Sequence, residues 1–487
     1  MKKLLKKSNI TLFIISIFIL FIGHFSLFNK NIISADILLN NNYYNGYSWE
    51  ISLGRFGLYL IGFIKSYLNI VHIDLIISFV LIGISCILII DLFNIKNKIN
   101  KILLIVFICL NPIISATLLF NYCSIGYLLA FLCGILSLYI YIKSKNKYIK
   151  YIVPTLLIVT SLSMYQAYLS FIVSIYVIYF IKCLFNKKVN YKELIKYVLC
   201  ILIGVIVYFI IMKLSLLIFN INISSYCNAD KICLKTLLTI PNKIIESYKL
   251  FYSFYFTDSI MKNTYMHNNI INILLFGIFI ISLVINIIKN KVNTINIVII
   301  SILVLLLPIF LNSVIFVIDD SKLQLLMATS YLCIPCLLLS FDNYNYRYIV
   351  YVIVILLIRN YLVQIQATYL TLENTYNKYD TIISTAITNN INDLDKRFIV
   401  IGNIDNKNTE ISKMNYGFIS DDGLFWDEYN LRKLGFERFC NQYYGLDLTY
   451  GSEDEYKYIL DYDSDDLIYN IDQIIVINLN NYKKTVN

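Results

Sequence analysis

Long apolar runs separated by short charged clusters constrain the fold of this 487-residue chain more than any other feature. The runs recur over the first three quarters of the sequence, and a run of about 18 apolar residues is long enough to cross roughly 30 Å of hydrocarbon. A soluble protein would instead distribute its charges along amphipathic helices. With 58% hydrophobic residues and a mean hydropathy of +0.68, the sequence predicts an α-helical polytopic membrane protein.

We predict about eleven transmembrane helices from the lengths of these runs. They lie near residues 10–28, 73–94, 102–119, 125–142, 148–165, 167–185, 195–219, 270–288, 294–317, 323–341 and 347–364. Residues 56–70 are also apolar, but this stretch is short and Lys65 interrupts it. It predicts an interfacial helix, with a re-entrant segment or a further span as the alternative.

The lysines predict the orientation. With the spans above, the basic clusters after residues 1, 95, 142, 186 and 288 all fall on one side, whereas the loops at 29–55, 120–124 and 318–322 hold few basic residues. Cytoplasmic loops are enriched in Lys and Arg. We therefore expect a bacterial cell membrane protein with a cytoplasmic amino terminus and an extracytoplasmic carboxyl terminus.

The composition changes near residue 365. Residues 365–487 contain 20 acidic and 11 basic side chains, although the whole chain has a net charge of +10. Two β-branched runs, Arg397–Gly402 and Gln473–Asn478, are typical of buried strands. The sequence therefore predicts a multi-span membrane domain at 1–364 and a small extracytoplasmic α/β domain at 365–487.

Several classes of site are not indicated. The three histidines lie far apart in the sequence, so we expect no cofactor, although a divalent metal stays open. There is no glycine-rich phosphate loop and hence no soluble nucleotide-binding domain, and nucleic acid is not an expected partner. Cys227 and Cys233 share one long loop and could form a disulfide, whereas Cys333 and Cys336 lie within a span and are interpreted as structural.

The loop after the first predicted span holds the densest group of chemically useful side chains. Asp36 and Glu50 supply carboxylates, and Arg55 supplies a guanidinium that matches phosphate geometry. Tyr47 and Trp49 could stack on sugar faces, with anchoring at the membrane interface as the alternative. This combination at the edge of a membrane bundle predicts chemistry on a lipid-linked polar substrate, with the bilayer itself as a binding partner.

Charges inside or beside other spans are further candidates, because a charge at membrane depth usually faces a cavity or a partner. Lys213 and Arg359 are candidates for binding a donor phosphate. For Arg55, snorkelling to lipid headgroups is the alternative to phosphate binding. Asp319 and Asp320 begin a short loop and could pair with Arg359 or contact an acceptor.

Three short motifs arrive in the order found in one family. They are Gly46-Tyr47-Ser48-Trp49 followed by Gly54-Arg55, then Asn111-Pro112 followed by Phe120-Asn121-Tyr122, then Ser161–Tyr168. Over roughly the first 220 residues the chain resembles the type II Gtr glucosyl transferases, which decorate O-antigen. Members of that family often carry paired acids in the first loop, whereas here Ala35 precedes Asp36.

The resemblance implies a membrane glycosyltransferase of the GT-C superfamily. Such an enzyme takes a sugar, here glucose, from a polyprenyl-phosphate donor and passes it to a cell-surface glycan outside the membrane. Asp36 would be the general base of an inverting displacement, and Glu50 would be a second carboxylate or a contact to the acceptor. Tyr165 and Gln166, in the polar break of the third motif, would form a tight turn or contact the sugar.

Two other classes remain open on the sequence. A polyprenyl-linked glycan flippase or another transporter would show internal repeats or broken helices at matching positions, and we find neither pattern. A glycan polymerase would also use lipid-linked substrates and long outer loops. The loop with Asp36 and Arg55, together with the predicted outer domain, favours the glycosyltransferase.

Overall fold

A computed structural model describes residues 7–29, 31–40, 43–185, 189–224, 239–257, 268–317, 324–341, 347–404, 411, 414, 423–462 and 464–482. The chain divides into two compact units. The first comprises residues 1–24 and 42–362, and the second comprises residues 25–41 and 363–487. Each unit is described by itself.

Helices dominate both units. In chain order they are α1 Lys7–Gly23, α2 Ala35–Asn40, α3 Ser48–Ser52, α4 Phe56–Ile64, α5 Val71–Leu92, α6 Lys98–Cys109, α7 Pro112–Leu119, α8 Asn121–Lys143, α9 Lys147–Met164, α10 Tyr168–Leu184, α11 Tyr191–Phe219, α12 Ile240–Phe256, α13 Asn268–Asn290, α14 Thr294–Leu305, α15 Leu307–Leu311, α16 Cys333–Leu338, α17 Arg347–Asn389, α18 Tyr429–Tyr444 and α19 Glu453–Leu460. Short 3₁₀ helices occupy Phe25–Phe28, Ser313–Phe316, Leu325–Leu332, Ile391–Asp393 and Leu479–Asn481. Three strands follow near the carboxyl terminus: β1 Arg397–Ile401, β2 Ile468–Ile471 and β3 Ile474–Asn478.

The first unit is a bundle in which consecutive long helices pack side by side. Helices α5, α8, α9 and α11 form a continuous series of contacts, and α1 packs on α5 and α6. Glycine allows two of these approaches. A Cβ at Gly83 would lie 2.8 Å from Ser16 Oγ, and a Cβ at Gly204 would lie 2.8 Å from Ile158 Cγ2. Small residues at such crossings are typical of membrane helix packing.

Five described helices are long and apolar enough to cross a membrane: α5, α8, α11, α13 and α17. The pair α6–α7 would be a sixth if it is one span bent by 42°. The bend follows Asn111, whose side chain accepts a hydrogen bond from the Ile113 N–H and caps α7, while Pro112 occupies the first turn. The membrane-like helical class is therefore observed, whereas eleven spans are not confirmed.

One further predicted span, 148–165, corresponds to α9, an 18-residue helix with Pro154 inside it that is not among these candidates. The other predicted spans correspond to shorter or interrupted helices. α1, α10 and α14 are apolar but have at most 17 residues, and the run near 323–341 is largely 3₁₀ helix followed by α16. Residues 56–70 form only the nine-residue α4, followed by Ser66 and Tyr67 with φ of 52° and 61°. At 1.5 Å per residue this helix is too short to cross a bilayer by itself.

The second unit contains a small sheet with strand order β1-β3-β2. β1 pairs with β3 in parallel, so that Ile399 faces Val476, and β2 pairs with β3 in the antiparallel sense. Both predicted strands are present, as β1 and β3, so the chain has a small carboxyl-terminal sheet. The third strand, β2, was not predicted.

An aromatic core holds α18 against this sheet. The Phe436 ring lies 5.8 Å from Phe398 of β1 and 6.4 Å from Phe425 between ring centroids. Helix α2 packs on α18. A Cβ built at Gly435 would lie 3.9 Å from Leu38 Cδ2. Residues 25–41, which follow the first predicted span, thus complete the second unit.

The cysteines give no cross-link in the described residues. Cys333 and Cys336 are buried free thiols of α16. The predicted partners Cys227 and Cys233 lie outside the described residues.

Candidate functional site

A tight turn between α3 and α4 sets the position of the candidate site in the first unit. Gly54 forms it with φ of +78°. A Cβ at this position would lie 2.6 Å from the Tyr208 hydroxyl, 2.7 Å from Met212 Sδ and 2.9 Å from Gln166 Nε2. Both the dihedral angle and the lack of space therefore require glycine.

Side chains from two later helical segments hold the same turn. Gln166 Nε2 donates to the Leu53 carbonyl oxygen and, at 2.9 Å, to the Tyr208 hydroxyl. The Tyr208 hydroxyl donates to the Gly54 carbonyl oxygen at 3.0 Å. The polar break between α9 and α10 and the middle of α11 are thus tied to the backbone just before Arg55.

This turn brings Glu50 and Arg55 together. Arg55 Nη1 lies 3.3 Å from Glu50 Oε2, and the two side chains are only 14% and 8% exposed. Arg55 Nη1 also lies 3.4 Å from the Tyr127 hydroxyl oxygen. Tyr44 donates from its hydroxyl to Glu50 Oε1 at 2.8 Å. Both oxygens of the carboxylate therefore have a partner.

Aromatic rings surround the guanidinium. The Arg55 Cζ atom lies 4.9 Å from the centre of the Tyr165 ring, which is a cation–π contact. Tyr165 stacks on Tyr127 with 4.5 Å between centroids. Burial, and next the neighbouring Glu50 carboxylate, raise the pKa of Tyr44 well above its usual value. Tyr44 is therefore a permanent hydroxyl donor to Glu50 at neutral pH.

The guanidinium keeps unused hydrogen-bonding capacity. Arg55 Nε is buried and has no hydrogen-bond partner among the described residues. A guanidinium has five N–H donors, and the hydrogen bonds described for Arg55 all use Nη1. A guanidinium with an unpaired N–H donor can bind a phosphate or carboxylate oxygen.

The other predicted site residues lie elsewhere. Asp36 is a half-buried residue in the first turn of α2 and belongs to the second unit, whereas Glu50 and Arg55 belong to the first. Trp49 is 55% exposed. The Tyr47 ring lies 5.7 Å from the Tyr59 ring and 5.6 Å from the Phe219 ring, between centroids.

The candidate phosphate ligands on the spans are both exposed. Lys213 lies on α11 and Arg359 on α17, where Arg359 Nη1 donates to Asn360 Oδ1 at 3.0 Å. Asp319 and Asp320 lie outside the described residues. Within the described part of the chain, no three His, Cys, Asp or Glu side chains are grouped so that they could hold a metal ion.

Three tyrosines of the site were missed from the sequence. Each contacts the turn or the Glu50–Arg55 pair: Tyr44, Tyr127 and Tyr208. Because the chain contains 42 tyrosines, the sequence alone could not distinguish these three from the others. The Asn-Tyr-Tyr-Asn-Gly run ending at Gly46 was the one usable signal, because it precedes the loop motif directly.

One comparison with known proteins gave a match. The family model described as Glucosyl transferase GtrII matches residues 24–339, well over half of the chain and including the whole segment from Tyr44 to Tyr208. The comparisons with curated proteins and with solved structures gave no match.

Proposed function

Because the chain belongs to the glucosyl transferase GtrII family, we propose that it moves glucose from a polyprenyl-phosphate donor to a cell-surface glycan on the outer side of the membrane. The class of activity, glucosyl transfer, is that of the family. The lipid-linked donor, the glycan acceptor and the sidedness are the proposal.

The Glu50–Arg55 pair is the observation that supports a lipid-linked donor most directly. A lipid-linked donor keeps its chain in the bilayer and its phosphate near the headgroups. Arg55 lies on a short segment between apolar helices, and its side chain combines an exposure of only 14% with an unpaired Nε. In such a place one N–H···O⁻ contact to a phosphate is worth about 1.5–3 kcal/mol.

The proposed reaction is a single inverting displacement. A carboxylate removes the proton from an acceptor hydroxyl, and that oxygen forms a bond to the anomeric carbon. The bond between the anomeric carbon and the phosphate oxygen breaks, and its electron pair leaves with the phosphate, which Arg55 stabilises. No metal or other cofactor enters these steps.

Asp36 remains our candidate for the base. Glu50 already accepts from Tyr44 and Arg55, so that its proposed role is to hold the guanidinium. Tyr47 and Trp49 remain candidates for sugar contact because both rings are exposed. The lysine pattern supports a cytoplasmic amino terminus and places residues 365–487 outside the cell in this proposal.

The test compares Arg55→Ala with Lys65→Ala. Lys65, at the end of α4, pairs with Asp74 in the first turn of α5, and the side-chain exposures of 16% and 3% resemble those of the Arg55–Glu50 pair. Purified variants in nanodiscs are supplied with radiolabelled polyprenyl-phosphate glucose and with the surface polysaccharide of a deletion strain. We expect Arg55→Ala to lower transfer by about ten- to hundredfold and Lys65→Ala to lower it far less.

Two results would refute the proposal. One is equal loss in both variants, which would mean that any broken ion pair in this segment has the same effect. The other is transfer by the wild-type protein from a soluble nucleotide-linked glucose and not from the lipid-linked donor.

A further inference from the structure

An aromatic surface lies along α4 in the first unit. It consists of five rings: Tyr47, Tyr59, Phe63, Tyr67 and Phe219. The distance between neighbouring ring centroids runs from 5.2 Å for Tyr59 and Phe219 to 6.4 Å for Tyr59 and Tyr67. Aromatic pairs attract each other at separations of about 4.5–7 Å. The side chains at the two ends of the surface are open to solvent, since Tyr47 is 37% and Phe63 is 65% exposed.

The rings occupy a separate face of α4. Tyr59 and Phe63 are four residues apart, and so are Leu60 and Ile64, so that each pair forms a stripe along the helix. The aliphatic stripe is exposed, at 56% for Leu60 and 76% for Ile64. A third side of α4 packs on α8 and α9. The aromatic stripe therefore lies between the bundle and an aliphatic surface that is suited to contact with lipid.

The backbone holds one of these rings in a strained position. Tyr67 has φ of 61° and follows Ser66 with φ of 52°, and this left-handed conformation is unusual for a bulky residue. The Tyr67 N–H donates to the Gly62 carbonyl oxygen at 2.7 Å, and the Tyr67 carbonyl oxygen accepts from the Tyr44 N–H at 2.9 Å. The side chains of Tyr67 and Tyr59 form a hydrogen bond with each other. Strain of this kind persists only where neighbouring contacts enforce it, and it is concentrated at functional sites.

The aromatic surface and the Glu50–Arg55 pair share one segment of the chain. The Tyr44 hydroxyl donates to Glu50 Oε1, and three residues later the Tyr47 ring belongs to the surface. Gly46 lies between them with φ of +57°, and a Cβ there would lie only 3.0 Å from backbone atoms of α4. The segment is therefore packed closely on α4, and the surface adjoins the proposed transfer site.

We propose that this aromatic surface binds the acceptor glycan, an inference that rests on the function proposed above. An exposed aromatic ring offers a flat apolar face to a pyranose, and a tyrosine hydroxyl can both donate to and accept from the hydroxyl groups of a sugar. The glucose of the donor is attached directly to the phosphate, whose proposed ligand is the largely buried Arg55. An open row of rings beside that site suits a chain of sugars that arrives from the solvent.

Anchoring at the membrane interface is the alternative role for these rings. An anchoring ring needs only to lie near the lipid headgroups, so that its exact placement matters little. The strain at Tyr67 and its hydrogen bond to Tyr59 instead fix one ring relative to another. The aliphatic stripe of α4 already offers a surface for contact with lipid. These observations favour a saccharide as the ligand.

The test replaces two of the rings in the full-length protein. The double variant Tyr47→Leu, Tyr67→Leu keeps apolar side chains but removes two flat faces, whereas Tyr47→Phe, Tyr67→Phe keeps both faces and removes only the hydroxyls. The matched control is Tyr148→Leu, which removes a ring that is 75% exposed from α9. Binding of the unglucosylated surface polysaccharide from a deletion strain is measured on protein in nanodiscs without any donor. Transfer is then measured against the concentrations of the polysaccharide and of polyprenyl-phosphate glucose.

We expect the leucine double variant to raise both the Kd and the KM for the polysaccharide about tenfold, with the KM for the donor nearly unchanged. The phenylalanine double variant should lose far less affinity, because both ring faces remain. Tyr47→Leu alone, which leaves the strained Tyr67 in place, should change both constants in the same direction. Tyr148→Leu should match the wild type.

Unchanged binding of the polysaccharide by the leucine double variant would overturn the proposal. An equal loss in the phenylalanine double variant would also overturn it, because the hydroxyls and not the ring faces would then make the contact. A rise in the KM for the donor alone would assign the rings to the lipid-linked substrate instead. If the wild type bound the polysaccharide through these rings but used no lipid-linked donor, the proposed function would fail and the glycan site would stand.

Discussion

Replacing Gly54 by alanine tests whether the turn between α3 and α4 is what builds the candidate site. Alanine at φ of +78° costs roughly 1–2 kcal/mol in backbone strain. Its Cβ would also come within 2.6–2.9 Å of Tyr208, Met212 and Gln166, and overpacking of this kind costs about 1–3 kcal/mol. The two effects together predict a loss of about 2–5 kcal/mol.

The matched control is Gly277→Ala. Gly277 lies within α13, and a Cβ there meets no atom within 4 Å. Alanine is a better helix former than glycine by about 1 kcal/mol, so this variant should be as stable as the wild type or more stable. The assay is reversible unfolding of purified protein in detergent micelles, followed by transfer of glucose from the lipid-linked donor in nanodiscs.

We expect Gly54→Ala to be destabilised relative to both other proteins. The fraction that remains folded should transfer less glucose, because Arg55 follows the displaced residue directly. A Gly54→Ala protein with the stability and activity of Gly277→Ala would refute the reasoning, since the turn would then tolerate both the angle and the extra atom.

Two further predictions concern the base and the topology. Asparagine at position 36 has nearly the shape of aspartate but cannot take a proton, so Asp36→Asn should lower kcat by about a hundredfold or more while donor binding persists. Glu50→Gln should lower kcat less. Near-normal turnover of Asp36→Asn would assign the base elsewhere. Reporter enzymes fused after Asn487 should be active only if they work outside the cytoplasm, and a cytoplasmic signal would contradict the proposed outer position of residues 365–487.

The sequence predicted best the strands and helices whose positions are determined by the residue pattern within the element itself. Strand β1 and strand β3 are short β-branched runs that both pair within one sheet, and their positions agree with the prediction. Long apolar runs likewise gave the helices from α5 to α11 to within a few residues. Breaks inside apolar runs were not predicted, because hydrophobicity is the same on both sides of Pro112 and of Leu306.

The candidate site was predicted in part. Glu50 and Arg55 were both chosen, but five residues of separation do not place two side chains together on a regular helix, and the pair forms because Gly54 reverses the backbone. Tyr165 and Gln166 were recognised as a polar break between helices, as observed. Their contacts with Arg55 and Leu53 span more than a hundred residues and have no local signal.

The packing of α2 on α18 has a consequence for how the protein is made. Leu38 leaves the ribosome early, whereas Gly435, its neighbour in the second unit, is synthesised only after α17 is complete. A contact between residues so far apart in sequence is slow to form, because loop closure must come before any gain in contact energy. Asn29 makes a similar long-range contact, since its side-chain amide donates to Glu373 Oε1 at 2.9 Å.

Until the carboxyl-terminal residues arrive, the segment around Asp36 therefore lacks the surface on which it packs. Its apolar residues Ile37 and Leu38, both buried in the folded protein, lack their packing partners until then. Removal of the carboxyl-terminal residues would thus do more than delete a separate domain. It would also take away the support of the helix that carries the proposed base.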